Sequence, residues 1–159
     1  MAGLQGTFSV SFDSKRRLAV PAKLRYALPD GLRDKLYLTR GIEKCITGYS
    51  WDEWQKFQTI LNKLKINETT KRKIKRQFIG RAAELDLDKQ GRLIIPDDLV
   101  NYAELQSCEE VLVVGCSTAL EIWNPRLFEE DGASTEDDIQ KTFSEIPLDV
   151  DDLLTMQPN

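Results

Sequence analysis

Histidine is absent from this sequence of 159 residues. Without imidazole there can be no Ser/His/Asp or Cys/His relay, no histidine general base and no zinc site that needs a histidine ligand. Cysteine is scarce as well, because Cys45, Cys108 and Cys116 are an odd number and contain no CxxC pair. Neither a disulfide framework nor a thiolate metal site is expected, and a reducing compartment is favoured.

Long apolar runs are also missing. No stretch approaches the roughly 18 consecutive apolar residues of a membrane-spanning helix. The N-terminal residues show no basic segment followed by an apolar one, as a signal peptide would. With 41% hydrophobic and 30% charged residues, the composition is typical of a globular protein. We therefore expect a soluble, cytoplasmic protein of one domain or two small ones.

The formal net charge of −4 hides a steep gradient along the chain. Residues 1–80 carry 17 basic and 7 acidic side chains, a net charge of +10. Residues 81–128 carry 4 basic and 9 acidic side chains, a net of −5, and the last 31 residues carry one lysine against ten acids, a net of −9. This asymmetry suggests a basic working surface and an acidic tail; the alternative is a solvated charged surface without a partner.

The chain repeats itself at an offset of 75 residues. Residues 13–21 read DSKRRLAVP and residues 88–96 read DKQGRLIIP, so both contain DxxxR, three apolar residues and proline. Hydrophobic positions match on both sides, and after one residue is lost near position 115 the offset becomes 74. Two matches within about 45 residues of shared pattern indicate a duplication. Because a copy of about 70 residues has little core of its own, we expect both copies to share one sheet.

Each copy is predicted to contain a strand, a tight loop, a strand, a short helix, two strands and a helix. Phe8, Val10 and Phe12 alternate with polar residues, which is the period of a half-buried strand. Pro21 and Pro96 end the strands after the loops and suit a first helical turn. Further strands are predicted at 18–20, 36–39, 45–49, 93–95, 111–114 and 119–123, and helices at 22–28, 69–78, 97–103 and 126–130, with another beginning after Ser50.

The DxxxR loops are the main candidates for binding chemistry. A sharp turn between paired strands brings the acid towards the arginine, so the carboxylate can accept loop N–H bonds and orient the guanidinium. The planar guanidinium fork suits phosphate oxygens or a guanine edge. The alternative is a salt bridge that only shapes the turn. With the basic residues around the loops, the candidate contact residues are Asp13, Lys15, Arg16, Arg17, Lys23, Arg25, Asp88, Lys89 and Arg92.

The two loops differ in their surroundings. The first is richer in basic neighbours, so Arg17 is expected to supply more binding energy than Arg92. The basic helix at 69–78 is predicted to place Ile74 and Phe78 inward, with five cations outward as a second phosphate contact, an exposed face or a subunit contact.

Other chemistry is weakly supported. Asp86 and Asp88 have the spacing of a Mg²⁺-binding carboxylate pair, but no third acid or general base lies beside them. No enzyme, metal or cofactor is therefore expected. The cysteines are interpreted as small packed side chains. Trp51, Trp54 and Trp123 are interpreted as core residues rather than a platform for base stacking.

Several motifs, taken together, carry a family resemblance. They are the doubled DxxxR-apolar-Pro unit, TRG at 39–41, the W-x-x-W helix start at Trp51, DKQGR at 88–92 and ALEIW at 119–123. In this combination the chain resembles the MraZ family of bacterial transcriptional regulators over about residues 6–130. The fold of that family is the SpoVT/AbrB, or swapped-hairpin, DNA-binding fold.

The resemblance implies an α+β, mostly β fold. Two tandem AbrB-like swapped-hairpin halves would form a pseudo-dimeric, β-barrel-like core with flanking helices. The expected division is a first half at 6–54, basic linking helices at 55–80, a second half at 81–130 and an acidic tail at 131–159. The tail lies outside the resemblance and is expected to be partly disordered or to dock on a neighbour. The net charge of −9 over the last 31 residues suggests that the tail screens the basic surface from non-specific DNA.

The resemblance also implies a sequence-specific regulator without catalysis. Ring-shaped homo-oligomers would display the loops at 13–17 and 88–92 to short direct repeats in double-stranded promoter DNA, ahead of the protein's own gene in the division and cell-wall cluster. Association with the nucleoid follows. The competing hypothesis is a structural or protein-interaction ring in which DxxxR only shapes turns and no DNA is bound.

One position departs from the family pattern. The family typically has glycine where Arg16 stands, as Gly91 does in the second copy, and glycine permits a positive φ that arginine adopts only at some cost. Either the first loop has a different turn, or Arg16 adds a phosphate contact. Residues 132–138 are polar and are interpreted as a linker.

Overall fold

The computed structural model describes residues 3–28 and 34–145, except the side chains of 133–135. The first copy contains β1 (Leu4–Ser11), β2 (Arg17–Ala19), α1 (Ala22–Ala27), β3 (Lys35–Arg40), β4 (Ile46–Tyr49), α2 (Trp51–Asn62) and α3 (Glu68–Phe78). The second copy contains β5 (Ala83–Asp86), β6 (Arg92–Ile94), α4 (Asp97–Tyr102), β7 (Glu110–Ser117), β8 (Ala119–Trp123) and α5 (Pro125–Glu145). The predicted order of elements is thus confirmed.

Two antiparallel sheets form the centre of the fold. Six strands lie in the order β1-β7-β8-β4-β3-β5, and β2 pairs with β6 in a separate two-stranded sheet, which we call the ribbon. With 39% helix and 30% strand, the predicted α+β class is confirmed, although with more helix than the pattern indicated. In the described part of the chain the large sheet does not close into a barrel, so the prediction of a barrel-like core was wrong.

The strand registers reveal a pseudo-twofold axis between the copies. In the ribbon Leu18 lies opposite Leu93, and in the large sheet Thr47 of β4 lies opposite Glu121 of β8. Each of these residues therefore faces its own equivalent in the other copy, at the offsets of 75 and 74. The large sheet has the same symmetry, because its strand order reads the same from either end when the copies are exchanged.

The copies are interlocked rather than side by side. The strand before each loop pairs with the other copy, β1 with β7 and β5 with β3. These pairings continue with matching backbone bonds, from Phe12 N to the Glu109 carbonyl (2.8 Å) and from Leu87 N to the Asp34 carbonyl (2.7 Å). Neither copy completes its sheet alone, and the expectation of one shared sheet is confirmed.

The core draws on both copies. Leu18 and Leu93 turn inward from the ribbon, each 2% exposed, while their strand neighbours face outward. Buried positions of β3 and β7, including Leu36 and Val111, are fully enclosed. Burial of this apolar surface favours the interlocked state, since each side chain of this kind contributes about 1.5–3 kcal/mol when removed from water.

An aromatic cluster joins the first copy to its linking helices. Ser50 caps α2 by accepting a hydrogen bond from Glu53 N (3.4 Å), as the capping pattern predicts. Trp54 is 5% exposed and stacks near Tyr37, with a ring separation of 6.3 Å. Trp51, however, is 41% exposed, so its interpretation as a core residue was wrong. It begins α2, and its ring lies 5.2 Å from that of Tyr37.

The C-terminal helix runs further than the sequence predicted. A helix was expected at 126–130 and a linker at 132–138, but α5 is continuous from Pro125 to Glu145. The linker interpretation was wrong, because α5 continues through Gly132, which costs only about 1 kcal/mol in a helix interior. The described residues up to Leu127 belong to one compact unit, and the described part of α5 from Phe128 onward belongs to a second. The part of the expected acidic tail beyond residue 145 lies outside the described residues.

None of the helices in the described ranges combines the length and the apolar composition that a bilayer crossing demands.

Candidate nucleic-acid interface

The first DxxxR loop is a compact hydrogen-bonded turn. Asp13 Oδ1 accepts bonds from the backbone N–H groups of Lys15 and Arg17, both at 2.9 Å. Asp13 Oδ2 accepts a bond from Arg17 Nε at 2.8 Å. The main chain closes the turn, since Arg16 N donates to the Asp13 carbonyl (3.0 Å). One carboxylate thus shapes the loop and also holds the guanidinium in place.

The second loop repeats this geometry bond for bond. Asp88 Oδ1 accepts from the backbone N–H groups of Gln90 and Arg92 at 2.9 Å each, and Asp88 Oδ2 accepts from Arg92 Nε at 2.8 Å. Gly91 N closes the turn on the Asp88 carbonyl at 2.9 Å. The predicted return of each acid to its arginine is therefore observed in both copies. We refer to the two Asp–Arg units as the clamps.

The carboxylates of the clamps are stabilised as anions. The backbone N–H of Arg17 is the main cause that lowers the pKa of Asp13, and that of Arg92 does the same for Asp88. The side-chain bond to each arginine lowers the pKa further. Both acids therefore remain charged near neutral pH. Because only Nε is used in each clamp, the terminal Nη groups keep donors for an external acceptor.

Arg16 adopts the conformation that glycine adopts in the second loop. Its φ is +63°, and that of Gly91 is +76°. Of the two alternatives raised by the departure from the family pattern, a different turn is thus excluded. The Arg16 side chain binds within the protein, where Nη1 donates to the Gln106 carbonyl (3.1 Å) and Nε lies 4.0 Å from Asp97 of α4.

Each loop packs against the short helix of the other copy. Val20 N donates to the Gly91 carbonyl, and Ile95 N donates to the Arg16 carbonyl, both at 2.9 Å. Arg25 of α1 lies so close to Gly91 that a Cβ there would overlap its guanidinium. We call each contact between a loop and the short helix of the other copy a junction. In the first junction the loop supplies an arginine, Arg16, and in the second the helix supplies one, Arg25.

The clamps share the outward surface of the ribbon. Arg17 and Arg92 each lie at the start of a ribbon strand, with side chains 38% and 44% exposed. Two surface grooves contain both arginines in their linings. One groove adds Asp13 and the end of β1, and the other adds Asp88 and the end of β5. The fold thus brings residues 75 positions apart to one face.

The remaining candidate lysines are exposed around the clamps. They are Lys15 and Lys89 in the loops and Lys23 on α1. The basic helix α3 is confirmed, and its predicted inward residues Ile74 and Phe78 are partly buried. Lys71 binds the Asn62 carbonyl (3.2 Å), whereas Arg72, Lys73 and Arg76 are exposed. Cationic groups are therefore spread over both the clamps and α3.

Acidic residues distinguish the second groove from the first. Glu84 and Asp86 line it, at the positions that Ser9 and Ser11 hold in the first copy. Glu84 accepts bonds from Tyr37 (2.9 Å) and Lys35 (3.2 Å), and these bonds lower the pKa of Glu84. Lys35 offsets part of this charge, but the groove remains less attractive to phosphate.

The two carboxylates that were considered as a Mg²⁺ pair each bind a different cationic side chain. Asp86 lies 3.7 Å from Lys35 Nζ, and Asp88 is bound to Arg92. Within the described ranges, the metal-ligating groups that do cluster are Glu43, Cys45 and Glu121, which the sequence reasoning did not connect. Strand β4 brings Cys45 beside β8, a contact that spacing alone does not reveal.

The cysteines differ in their surroundings. Cys45 is fully buried, and burial raises the pKa of its thiol well above the usual range. Cys116 is exposed as a residue, so its interpretation as a packed side chain was wrong, although burial of its thiol and the nearby Glu121 raise that pKa to about 11. Both thiols are protonated at neutral pH, which disfavours nucleophilic chemistry.

Comparison with protein families gives the same division into two copies. The family model of MraZ proteins, described as antitoxin-like, matches the chain twice in succession, at residues 4–77 and 78–146. Each match contains one clamp and the strands around it. The matches together cover most of the chain, and the duplicated loops are their shared feature. The chain therefore belongs to the MraZ family, a regulatory family of the transcription-regulator type.

Proposed function

We propose that this protein is a sequence-specific DNA-binding transcriptional regulator that acts without catalysis or cofactor. The observation that carries the proposal is the pair of matching clamps on one ribbon face. A two-stranded ribbon fits the major groove of B-form DNA. Guanidinium groups held by carboxylates can bind phosphate or the O6 and N7 atoms of guanine. The ribbon is accordingly the surface that meets the duplex.

Charge supports the same assignment. The first 80 residues carry a net charge of +10, and both Lys15 and Lys23 lie around the first loop. Neutralised phosphates release counterions, so affinity is expected to fall steeply with salt. Arg16 is the weakest of the nine candidate contacts, because its guanidinium is engaged by Gln106. We assign it to bracing the loop.

The oligomer and the target complete the proposal. We expect a ring-shaped homo-oligomer whose clamps bind short direct repeats in the promoter of the protein's own division and cell-wall gene cluster, with association with the nucleoid in the cytoplasm. Several ribbons on one ring would bind adjacent repeats with avidity, so single contacts need not be strong. Measurement of the particle mass in solution, followed by imaging of the particles, tests the ring.

A mobility-shift assay on the DNA upstream of the protein's own gene tests the function. Arg17→Ala and Arg92→Ala should weaken the shift, and Arg17→Lys should do so partly, because lysine keeps the charge but loses the planar fork. Lys56→Ala is the control, since it removes one positive charge from α2, outside the ribbon. Circular dichroism verifies that each variant is folded.

The second candidate function is a structural ring in which the clamps only shape turns. It is favoured by the two backbone bonds that each carboxylate accepts. It predicts no shift of this DNA by the folded, oligomeric wild type at low salt, and that result would exclude the regulator. Binding that all the arginine variants retain would instead keep the function and reject the clamps as its site.

A further inference from the structure

The outward face of the ribbon is symmetric in its backbone but not in its side chains. Arg17 lies directly opposite Ile94, and Arg92 lies directly opposite Ala19. Ala19 and Ile94 are equivalent positions of the two copies, at the offset of 75. Each clamp arginine therefore has a different cross-strand neighbour, a long branched side chain in one case and a single methyl group in the other.

Ile94 is exposed on the outward face of the ribbon, at the end of β6. It is 59% exposed, whereas the residues on both sides of it, Leu93 and Ile95, are 2% and 1% exposed. Single exposed apolar residues are common on protein surfaces, so exposure alone carries no function. What distinguishes Ile94 is its position, because it lies beside a clamp and lines one of the two grooves that contain both arginines.

The chemistry of the major groove offers one apolar partner. A guanine presents O6 and N7 to an arginine fork, and a thymine presents its C5 methyl group to an apolar side chain. Directly opposed side chains on a ribbon have Cβ atoms about 5 Å apart, while neighbouring bases on one DNA strand are about 3.4 Å apart along the axis. Arg17 and Ile94 can therefore meet neighbouring base pairs.

We infer that Ile94 is a specificity-determining residue that contacts the methyl group of a thymine next to the base pair met by Arg17. The inference rests on the proposed DNA-binding function and deepens it. The Arg92 side of the ribbon has only Ala19, whose methyl group is too short for the same reach. The two halves of the ribbon therefore read unequal half-sites, and the target of one chain is not palindromic.

Deoxyuridine provides a direct probe, because it lacks only the methyl group of thymine. The experiment uses the full-length oligomer and duplexes of the protein's own upstream region in which single thymines are replaced by deoxyuridine. Replacement of one thymine should weaken wild-type binding about fourfold, the effect expected for one buried methyl group. Ile94→Ala should bind the unmodified duplex as weakly as wild type binds the modified one, and should be insensitive to that replacement.

The duplicated architecture supplies a matched variant. Ala19→Ile combined with Ile94→Ala moves the branched side chain to the equivalent position beside Arg92. The sensitive thymine should then move to the other half of the site. Thermal denaturation and the mass of the oligomer are measured for each variant, because a change in assembly would assign Ile94 to a subunit contact and overturn the inference.

The remaining outcomes separate the two proposals. If wild type binds none of the duplexes, the DNA-binding function itself fails. If wild type binds and Arg17→Ala binds less, but every deoxyuridine replacement is neutral, the function stands and the role of Ile94 is rejected. Equal sensitivity of wild type and Ile94→Ala to the same thymine rejects it as well.

Discussion

The two clamps have the same internal hydrogen bonds but different surroundings. In both, one carboxylate oxygen accepts two backbone bonds at 2.9 Å and the other accepts the arginine Nε at 2.8 Å. The loop of the first clamp also contains Lys15 and Arg16. The loop of the second contains only Lys89 in addition, and its groove is also lined by Glu84 and Asp86. The geometry of the turn has thus been kept while its electrostatics have diverged.

The junctions of the two loops show how such divergence is accommodated. The first junction has Arg16 against Gln106 of the second copy, and the second has Arg25 against the small Gly91. The position equivalent to Arg25 is Val100, which is fully buried. Two arginines at one junction would place like charges together, so glycine in one loop accompanies arginine on the helix that packs on it.

The largest expected difference between the copies is in DNA affinity. Arg17→Ala should weaken binding to the upstream duplex by about 10- to 100-fold, the range for loss of an arginine that contacts a guanine edge. Arg92→Ala should weaken it less, because Asp86 and Glu84 already oppose phosphate on that side. Titrations at two salt concentrations measure both effects. An equal or larger loss for Arg92→Ala would contradict the assignment of the stronger contact to the first copy.

The next effect concerns the stability of the two turns. Gly91→Ala should reduce the free energy of unfolding by about 1–2 kcal/mol, because alanine disfavours a φ of +76°. It should also displace Arg25 from the loop. Arg16→Gly relieves the same kind of strain but loses the bond to Gln106, so its net effect should stay within about 1 kcal/mol. Urea denaturation of the two variants measures both changes in the free energy of unfolding. Destabilisation of equal size by Gly91→Ala and Arg16→Gly would refute this account of the turn.

A smaller effect is expected from the acids of the second groove. Asp86→Ser gives β5 the residue that Ser11 contributes to β1. The carboxylate of Asp86 is 83% exposed and lies 3.7 Å from Lys35 Nζ, so solvent screens most of the electric field of that carboxylate. We expect DNA binding to tighten by about two- to threefold at low salt and to be unchanged at high salt. Ser11→Asp is the mirror variant, and weaker binding by that variant alone would indicate that the second groove does not meet DNA.

The smallest effect is that of pH. Because the folded pKa values of Asp13 and Asp88 lie below the reference value of 3.8, their stabilisation is complete above that value and is lost as pH falls through the lowered values. The clamps should therefore be unchanged between about pH 5 and 8. Carboxyl NMR titration measures both pKa values. Arg17→Ala should raise that of Asp13 only in part, since the backbone bond remains; a full return to 3.8 would identify the guanidinium as the main cause.

Much of this fold follows from local sequence pattern. Alternation in β1, the prolines after β2 and β6 and the cap at Ser50 predict elements that the structure contains. The course of α5 and the exposure of Trp51 were missed, because neither is decided by local periodicity. A polar segment with one glycine is compatible with a linker or a helix, and an aromatic residue at a helix start is buried only if another element covers it.

In the candidate site, too, the local contacts were predictable and the long-range contacts were not. The duplicated DxxxR motif led to both clamps, because its acid and arginine interact within one turn. The contacts of Arg16 with Gln106 and of Arg25 with Gly91 were not predictable, since each joins residues 66 or more positions apart. The cluster of Glu43, Cys45 and Glu121 was missed for the same reason.

The sequence by itself determined the duplication, the order of elements and the internal chemistry of each loop, because these depend on residues within a few positions of one another. Tertiary structure alone decided which strands pair, and therefore that Arg17 lies opposite Ile94 while Arg92 lies opposite Ala19. It also decided which groups Arg16 and Arg25 contact. Strand pairing is non-local, and its register depends on burying Leu18 against Leu93 at the centre of the ribbon. The two DxxxR motifs thereby became unequal halves of one surface.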